Sequence, residues 1–275
     1  MLQNKRIAIL GAGSMAKALV AGLLRNPGVS VKNIVATHYK QEKAEKFSAE
    51  LGVRVVLDNR EAVKGSDIVI LAVKPQALPG VLKEIASSVS KQHLVISIAA
   101  GVTTSFIKER LPKAILLRTM PNLPATIGEG VTAICGSDHS KDTQVDIAKA
   151  IFACVGKVVL LDEDQLDAVT GLSGSGPAFV FLIIDALADA GVKVGLSRDV
   201  SLMLASQTVL GASKLLVDSG EHPGKLKDQV TSPGGTAIAG IHTLEQGGLR
   251  TTLINAVESA TNRSRELGLK FSVKK

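Results

Sequence analysis

The chain contains no tryptophan and a single tyrosine, Tyr39, and aromatic residues make up only 3% of its 275 residues. Stacking platforms for single-stranded nucleic acid need rings in number, so their scarcity argues against that function and against a carbohydrate groove. The core must be built instead from Ala, Val, Leu and Ile, for which a hydrophobic fraction of 45% is ample. Cysteine is equally scarce. Cys135 and Cys154 make neither a CxxC pair nor a disulfide framework, which fits a reducing intracellular compartment with both thiols as packing groups. There is no metal-spaced His/Cys cluster, no G-x-S-x-G and no His–carboxylate dyad, so no metal is expected. His93, His139, His222 and His242 stand singly and read as surface or packing residues. The chain reaches a glycine turn within eleven residues without an apolar leader, and its longest apolar run, Phe179 to Ile184, is broken by Asp185. A soluble cytoplasmic protein without membrane contact is the expectation.

Charge of one sign is in modest excess: 32 Lys and Arg against 25 Asp and Glu leave a net +7. Such a balance can attract nucleic acid, membranes or phosphorylated small molecules. Its distribution decides against nucleic acid. The densest basic cluster, Lys40, Lys43 and Lys46, is interleaved with Glu42 and Glu45, the pattern of a solvated helix face.

From Arg6 to about Asp162, short apolar runs (RIAIL, NIVAT, RVVL, DIVILAV, LVISIAA, AILLRT, KVVLL) alternate with helical patterns. Continuous apolar strands spaced by helices predict an α/β fold with a parallel sheet covered on both faces. Beyond 162 the strand signal stops, and long helices are expected at 176–190, 198–218 and 236–267. The predicted division is a doubly wound domain, 1–162, followed by an all-α domain, 163–275. PAFVFLIIDALADAGV and SLMLASQTVLGASKLLV are apolar around most of their circumference. So few helices cannot bury one another that completely, which predicts a second subunit over them.

Two glycine corners carry the chemistry. Gly11, Gly13 and Ala16 form GxGxxA between a predicted strand and helix, the Rossmann-type fingerprint in which backbone approaches a pyrophosphate at a helix N-terminus. An NAD-type site usually carries an acid at the end of the second strand. Here that strand runs into His38, Tyr39 and Lys40, with no acid before Glu42, so NADPH is expected as hydride donor, with NADH as its alternate. Lys74-Pro75 follows another strand. Lys74 either meets cofactor or substrate there or is a surface lysine ahead of a helix-starting proline. The second corner, KDQVTSPGGTAIAG at 227–240, sets Pro233, Gly234 and Gly235 at the start of an apolar helix, where free amides receive an anion; a simple helix start is the alternative. SGSGP at 173–177 reads either as a cap, with Ser175 at N-cap and Pro177 in the first turn, or as a contact to substrate or nicotinamide.

Taken with AVKP at 72–75, RTMPNLPATIGEG at 118–130, TGLSGSGPAFVF at 170–181 and RSRELG at 263–268, these segments closely resemble Δ1-pyrroline-5-carboxylate reductase over nearly the whole chain. The resemblance implies hydride transfer from NAD(P)H to a cyclic imino acid, giving proline. It also implies a homodimer whose C-terminal helices interlock and whose active site is shared, and assembly of dimers into larger rings, up to a decamer of dimers. Cofactor contacts carried over are Leu10, Gly11, Ala12, Gly13, Ser14, Met15 and Ala16 around the pyrophosphate, His38 and Asn59 near the adenosine ribose, Ala72, Val73, Lys74 and Pro75, and Ala99 and Ala100 beside the nicotinamide ribose. Ser232, Gly234, Gly235, Thr236 and Ala237 would receive the substrate carboxylate. Lys74, Asn122 and Thr236 are the residues assigned to the reaction itself. A protonated imine is already electrophilic, so alignment matters more than acid catalysis.

Two positions depart from the family pattern. Ala237 stands where a threonine hydroxyl is usual, and Leu123 replaces a small polar residue after MPN. Rival readings remain: a related imine reductase, a β-hydroxyacid dehydrogenase-like enzyme, which would need a catalytic lysine on the first C-terminal helix, and a catalytically quiet nucleotide-binding paralogue.

Overall fold

The computed structural model describes residues 1–136 and 142–271; His139 lies outside them. Eight strands form one sheet: β1 (Ile7–Leu10), β2 (Ile34–Thr37), β3 (Arg54–Val56), β4 (Ile68–Leu71), β5 (Leu94–Ser97), β6 (Ile115–Met120), β7 (Gly130–Gly136) and β8 (Gly156–Leu160), in the order β3-β2-β1-β4-β5-β6-β7-β8. The helices accompanying the sheet are α1 (Ser14–Leu24), α2 (Gln41–Leu51), α3 (Asn59–Lys64), α4 (Leu78–Ile85), α5 (Thr104–Arg110), α6 (Asp142–Phe152) and α7 (Leu166–Val169). After them come α8 (Gly176–Lys193), α9 (Arg198–Ser219), α10 (Pro223–Val230), α11 (Thr236–Gln246) and α12 (Leu249–Leu269).

All seven expected strands form. β1, β4 and β5 are buried at every position, because alternate side chains enter two separate apolar layers. Ile7, Ile9, Ile68, Ile70, Leu94 and Ile96 pack with α1 and α6 on one face, while Ala8, Leu10, Val69, Leu71 and Val95 pack with α3, α4 and α5 on the other. Strand order reverses beside β1, whose neighbours are β2 and β4, and ligands of open α/β sheets bind at such a point.

The sheet is not wholly parallel: β7, GVTAICG, was not among the expected strands and runs antiparallel to β6, pairing Met120 with Ala133. Its glycine ends read as turn residues, and the nine residues before it are too few for a helical crossover, so the chain must double back. Arg118, buried on β6, pairs with Glu163 at 3.1 Å. Glu163 also accepts the Thr104 amide at 2.7 Å, tying α5 and the start of α7 to the strand.

The backbone divides into two compact units, one holding residues up to Ser175 and those from Ser259 on, the other Gly176–Glu258. The break thus falls beyond 162, where strand composition ends, because Leu166 is buried against Ala133 and Cys135 of β7. Ser175 is not an N-cap. It is helical (φ −86°, ψ −24°) and its amide bonds to the Thr170 carbonyl at 2.8 Å, closing a π-turn over Thr170–Gly174 that runs on into α8. The helix expected over 236–267 is two helices, separated where the Gly247 and Gly248 amides turn back on Thr243 and Glu245. In the second unit only Ala188 of α8 and Ser201 and Ala205 of α9 are buried within one chain. By length and composition alone, Glu163–Lys193 and Arg198–Ser219 are apolar enough to cross a membrane, despite Asp185.

Candidate active site

The first corner follows β1. Gly11 has φ +103°, and a Cβ there would lie 2.9 Å from the Ala72 carbonyl oxygen, so glycine is required both by the turn and by the approach of β4's end. Gly13 is the N-cap of α1, and a Cβ on it would meet nothing within 4 Å; the space beside it is open to a ligand. The amides of Ser14, Met15 and Ala16 in the first turn of α1 have no intrahelical acceptor. No side chain caps this helix and no acid stands in its first turn, whereas α3 is capped by Asp58, α5 by Thr103 and α10 by His222. An uncapped N-terminus of this kind is an anion receptor. The Gly11 amide does not join it, since it donates to Thr37 Oγ1 at 3.1 Å.

At the end of β2, His38 stacks on Tyr39 with centroids 4.8 Å apart, and Lys40 Nζ lies 5.7 Å from the tyrosine ring centroid. The Lys40 amide donates to His38 Nδ1 at 2.9 Å, leaving that ring's proton on Nε2. No carboxylate follows Thr37 directly. One arrives from elsewhere: Glu84 of α4 accepts from Asn59 Nδ2 at 2.8 Å and from the Asn59 amide at 3.2 Å. Ala72 to Pro75 adjoin the Gly11 turn, with Lys74 exposed ahead of the 3-10 turn Pro75–Ala77. Ala99 is buried and its amide bonds to Ser97 Oγ, while Ala100 is half-buried.

Asn122 is engaged at both ends of its amide. Nδ2 donates to the Ser173 carbonyl at 3.2 Å and Oδ1 accepts the Val131 amide at 2.9 Å. The Ser173 carbonyl is available because Pro177, four residues on, has no N–H to offer it. A single buried side chain therefore joins the turn after β6, the start of β7 and the π-turn. Asn122→Leu leaves two part-buried backbone groups unpaired and is expected to lower stability by about 2–4 kcal/mol, read as a fall in denaturant midpoint at constant slope.

The second corner lies in the helical unit. The Gly235 amide bonds to the Ser232 carbonyl at 3.0 Å, closing a four-residue turn with Pro233 second and Gly234, φ +70°, third, as a type II turn demands. Gly235 then N-caps α11 without a side-chain cap and with no acid in the first turn, so the amides of Thr236, Ala237 and Ile238 are unspent. The two corners thus share one design, a glycine-capped helix start.

No group of three or more potential metal ligands gathers among the described residues. Burial, with the Glu163 charge second, pushes the Cys135 thiol up to about 11, which fits a packing group. His93 is also structural, accepting the Ser90 amide and meeting the Val63 carbonyl. His222 accepts the Gly224 amide as a cap, and His242 is exposed.

Residues 163–267 match the family model described as pyrroline-5-carboxylate reductase dimerisation, and residues 6–101 match NADP oxidoreductase coenzyme F420-dependent. A pyrroline-5-carboxylate reductase of Methanosarcina acetivorans is 45% identical over 98% of this chain and 100% of its own length. The chain belongs to the pyrroline-5-carboxylate reductase family. The solved reductase of Coxiella burnetii superimposes with a TM-score of 0.90 at 37% identity, over 96% of this chain and 99% of that one. A Plasmodium falciparum pyrroline carboxylate reductase with NADP bound gives 0.87 at 31% identity, over 97% and 99%. In this member of the pyrroline-5-carboxylate reductase family, the first corner falls within the oxidoreductase match and the second within the dimerisation match.

Motif reading did not single out Thr37 or Glu84. The visible sign for Thr37 was a hydroxyl ending an otherwise apolar strand; Glu84 carried no local sign.

Proposed function

We propose that the protein reduces 1-pyrroline-5-carboxylate to L-proline, the last step of proline synthesis, by hydride transfer from NADPH, or less readily NADH, to the carbon of the cyclic C=N bond. The observation that carries the reading is the pair of uncapped, glycine-started helices, one behind a GxGxxA strand-turn-helix and one in SPGG, in a chain 45% identical to a named reductase.

Residues 1–162 hold the dinucleotide. Leu10 to Ala16 surround its pyrophosphate, with the amides of Ser14, Met15 and Ala16 as donors. His38 and Asn59 meet the adenosine ribose, and Ala72, Val73, Lys74, Pro75, Ala99 and Ala100 line the nicotinamide end. Residues 163–275 bind substrate and pair two copies. Ser232, Gly234, Gly235, Thr236 and Ala237 form the receptor for the imino-acid carboxylate through the free amides of α11. When bound, the dihydronicotinamide supplies the hydride. Asn122 holds the backbone around the nicotinamide in place, Lys74 attracts the negatively charged reactants, and the Thr236 hydroxyl serves the ring nitrogen in place of the one Ala237 lacks. A homodimer covers the apolar circumference of α8 and α9, its dimers join into larger rings up to a decamer of dimers, and the enzyme works in the cytoplasm.

The dehydrogenase rival fails on its catalytic lysine, since the only lysine of α8 is its last residue, Lys193. The test is steady-state reduction of racemic pyrroline-5-carboxylate with each cofactor. Turnover should proceed with kcat/KM for NADPH above that for NADH by about tenfold, 1.4 kcal/mol. Cofactor binding without turnover would select the quiet paralogue, and an equal or reversed preference would remove the argument from the acid-free end of β2.

A further inference from the structure

We propose that Glu84, on α4 and outside every expected ligand contact, is a positioning residue that orients the glycine turn for the dinucleotide through Asn59 and Thr37. Four groups form one directed chain. Gly11 N–H donates to Thr37 Oγ1 at 3.1 Å, Thr37 Oγ1 donates to Asn59 Oδ1 at 2.6 Å, and Asn59 gives Nδ2 and its backbone amide to the two carboxylate oxygens of Glu84 at 2.8 and 3.2 Å.

The direction is dictated from the acidic end. A carboxylate facing two N–H groups offers only acceptors, so Asn59 must turn its donors toward Glu84 and its oxygen toward Thr37. That oxygen takes the hydroxyl proton of Thr37, which leaves a lone pair of Oγ1 for the Gly11 amide. Thr37 is only 3% exposed, so no bulk water competes for its hydroxyl, and hydrogen bonds in such a chain reinforce one another. With its amide drawn inward and its Cα against Ala72, the Gly11 peptide has one orientation, and that sets where the free amides of Ser14, Met15 and Ala16 begin. The whole chain lies within residues 6–101, which match the NADP oxidoreductase model.

The inference rests on the proposed reading of the glycine turn as the dinucleotide site, and its test is binding without imine, so that it is separable from the reaction. NADPH and NADH are titrated by fluorescence against wild type and Glu84→Gln. A glutamine oxygen can serve one of the two Asn59 donors while its NH2 opposes the other, so both dissociation constants should rise about tenfold. At saturating cofactor, kcat and the imine KM should stay within about twofold. Thr37→Val, which cuts the chain at its other end, should cost the same about tenfold, and the double variant should be no worse than either single one.

Unchanged affinity in Glu84→Gln at an unchanged melting temperature would overturn the proposal, as would full additivity with Thr37→Val. If Glu84→Gln does not fold, Thr37→Val decides: unchanged affinity overturns the relay. A wild-type chain that binds neither nucleotide would overturn the relay and the cofactor reading together. Normal nucleotide binding without imine reduction would count against the proposed reaction alone.

Discussion

Gly11→Val abolishes nicotinamide-dinucleotide binding at ordinary cofactor concentrations, with a dissociation constant raised by about 10²- to 10³-fold. Two independent costs converge on this position. Its φ of +103° is one that a β-branched residue adopts only under strain of about 1–3 kcal/mol. The added Cβ would also sit 2.9 Å from a backbone oxygen and 3.0 Å from a backbone carbon of Ala72, neither of which can rotate away, and overpacking of this sort costs about 1–3 kcal/mol more. Relief comes most readily by swinging the turn off the end of β4, which breaks the bond from the Gly11 amide to Thr37 and misdirects the start of α1. Both costs fall on the geometry proposed to receive the pyrophosphate. Fluorescence titration with NADPH reads the loss, and circular dichroism confirms that the sheet survives; tight binding by the variant would remove this turn from the cofactor site.

Gly235→Val raises the Michaelis constant for the imino acid by about 30- to 100-fold while leaving cofactor affinity unchanged. The backbone conformation at Gly235 is ordinary, so the effect is one of space. A Cβ would stand 2.3 Å from Ser232 Oγ and 3.1 Å from the Ser232 carbonyl oxygen. The hydroxyl can turn aside; the carbonyl, held by the Gly235 amide itself, can give only by opening the turn. The branched methyls then occupy the space before the free amides of α11, where a carboxylate would sit. The expected loss equals one charge-assisted hydrogen bond of about 2–3 kcal/mol. The residues here are largely exposed, so the melting temperature should move little. Gly235→Ala should fall between wild type and valine, and unaltered imine kinetics in both would take the carboxylate away from this turn.

The parts of the fold legible in the sequence are those where one local pattern suffices. A strand covered on both faces is a run of apolar residues, and β1, β4 and β5 announce themselves so. SPGG and GxGxxA are legible because a turn and an uncapped helix start need glycine and proline at fixed offsets. Relations between distant residues were not legible. β7 hides behind its terminal glycines, and only its pairing with β6 makes it a strand. Ser175 has the residue type and place of an N-cap, but the π-turn before it keeps the chain helical, so the cap has no end to close. The resemblance assigns Asn122 to the reaction; its bonds to the backbone of Ser173 and Val131, 51 and 9 residues away, carry no sign in the local sequence. The Glu84 carboxylate sits where charge-type reasoning about the second strand placed none, because it comes from α4. The Gly247–Gly248 pair is a local sign of the break between α11 and α12, because two adjacent glycines each cost a helix about 1 kcal/mol relative to alanine.

The antiparallel return of β7 has a consequence for how this lineage can vary. Because Met120 and Ala133 are cross-strand partners, the segment between them starts and finishes at one rim of the sheet, as a handle does on a cup. Doubling the length of such a closed segment costs only about 0.6 kcal/mol of chain entropy. Descendants could therefore redecorate it at the outward-facing Leu123 and Ile127, while Asn122 and the buried Ala125 hold the segment and the hydrogen-bond register of the strands on either side stays as it was.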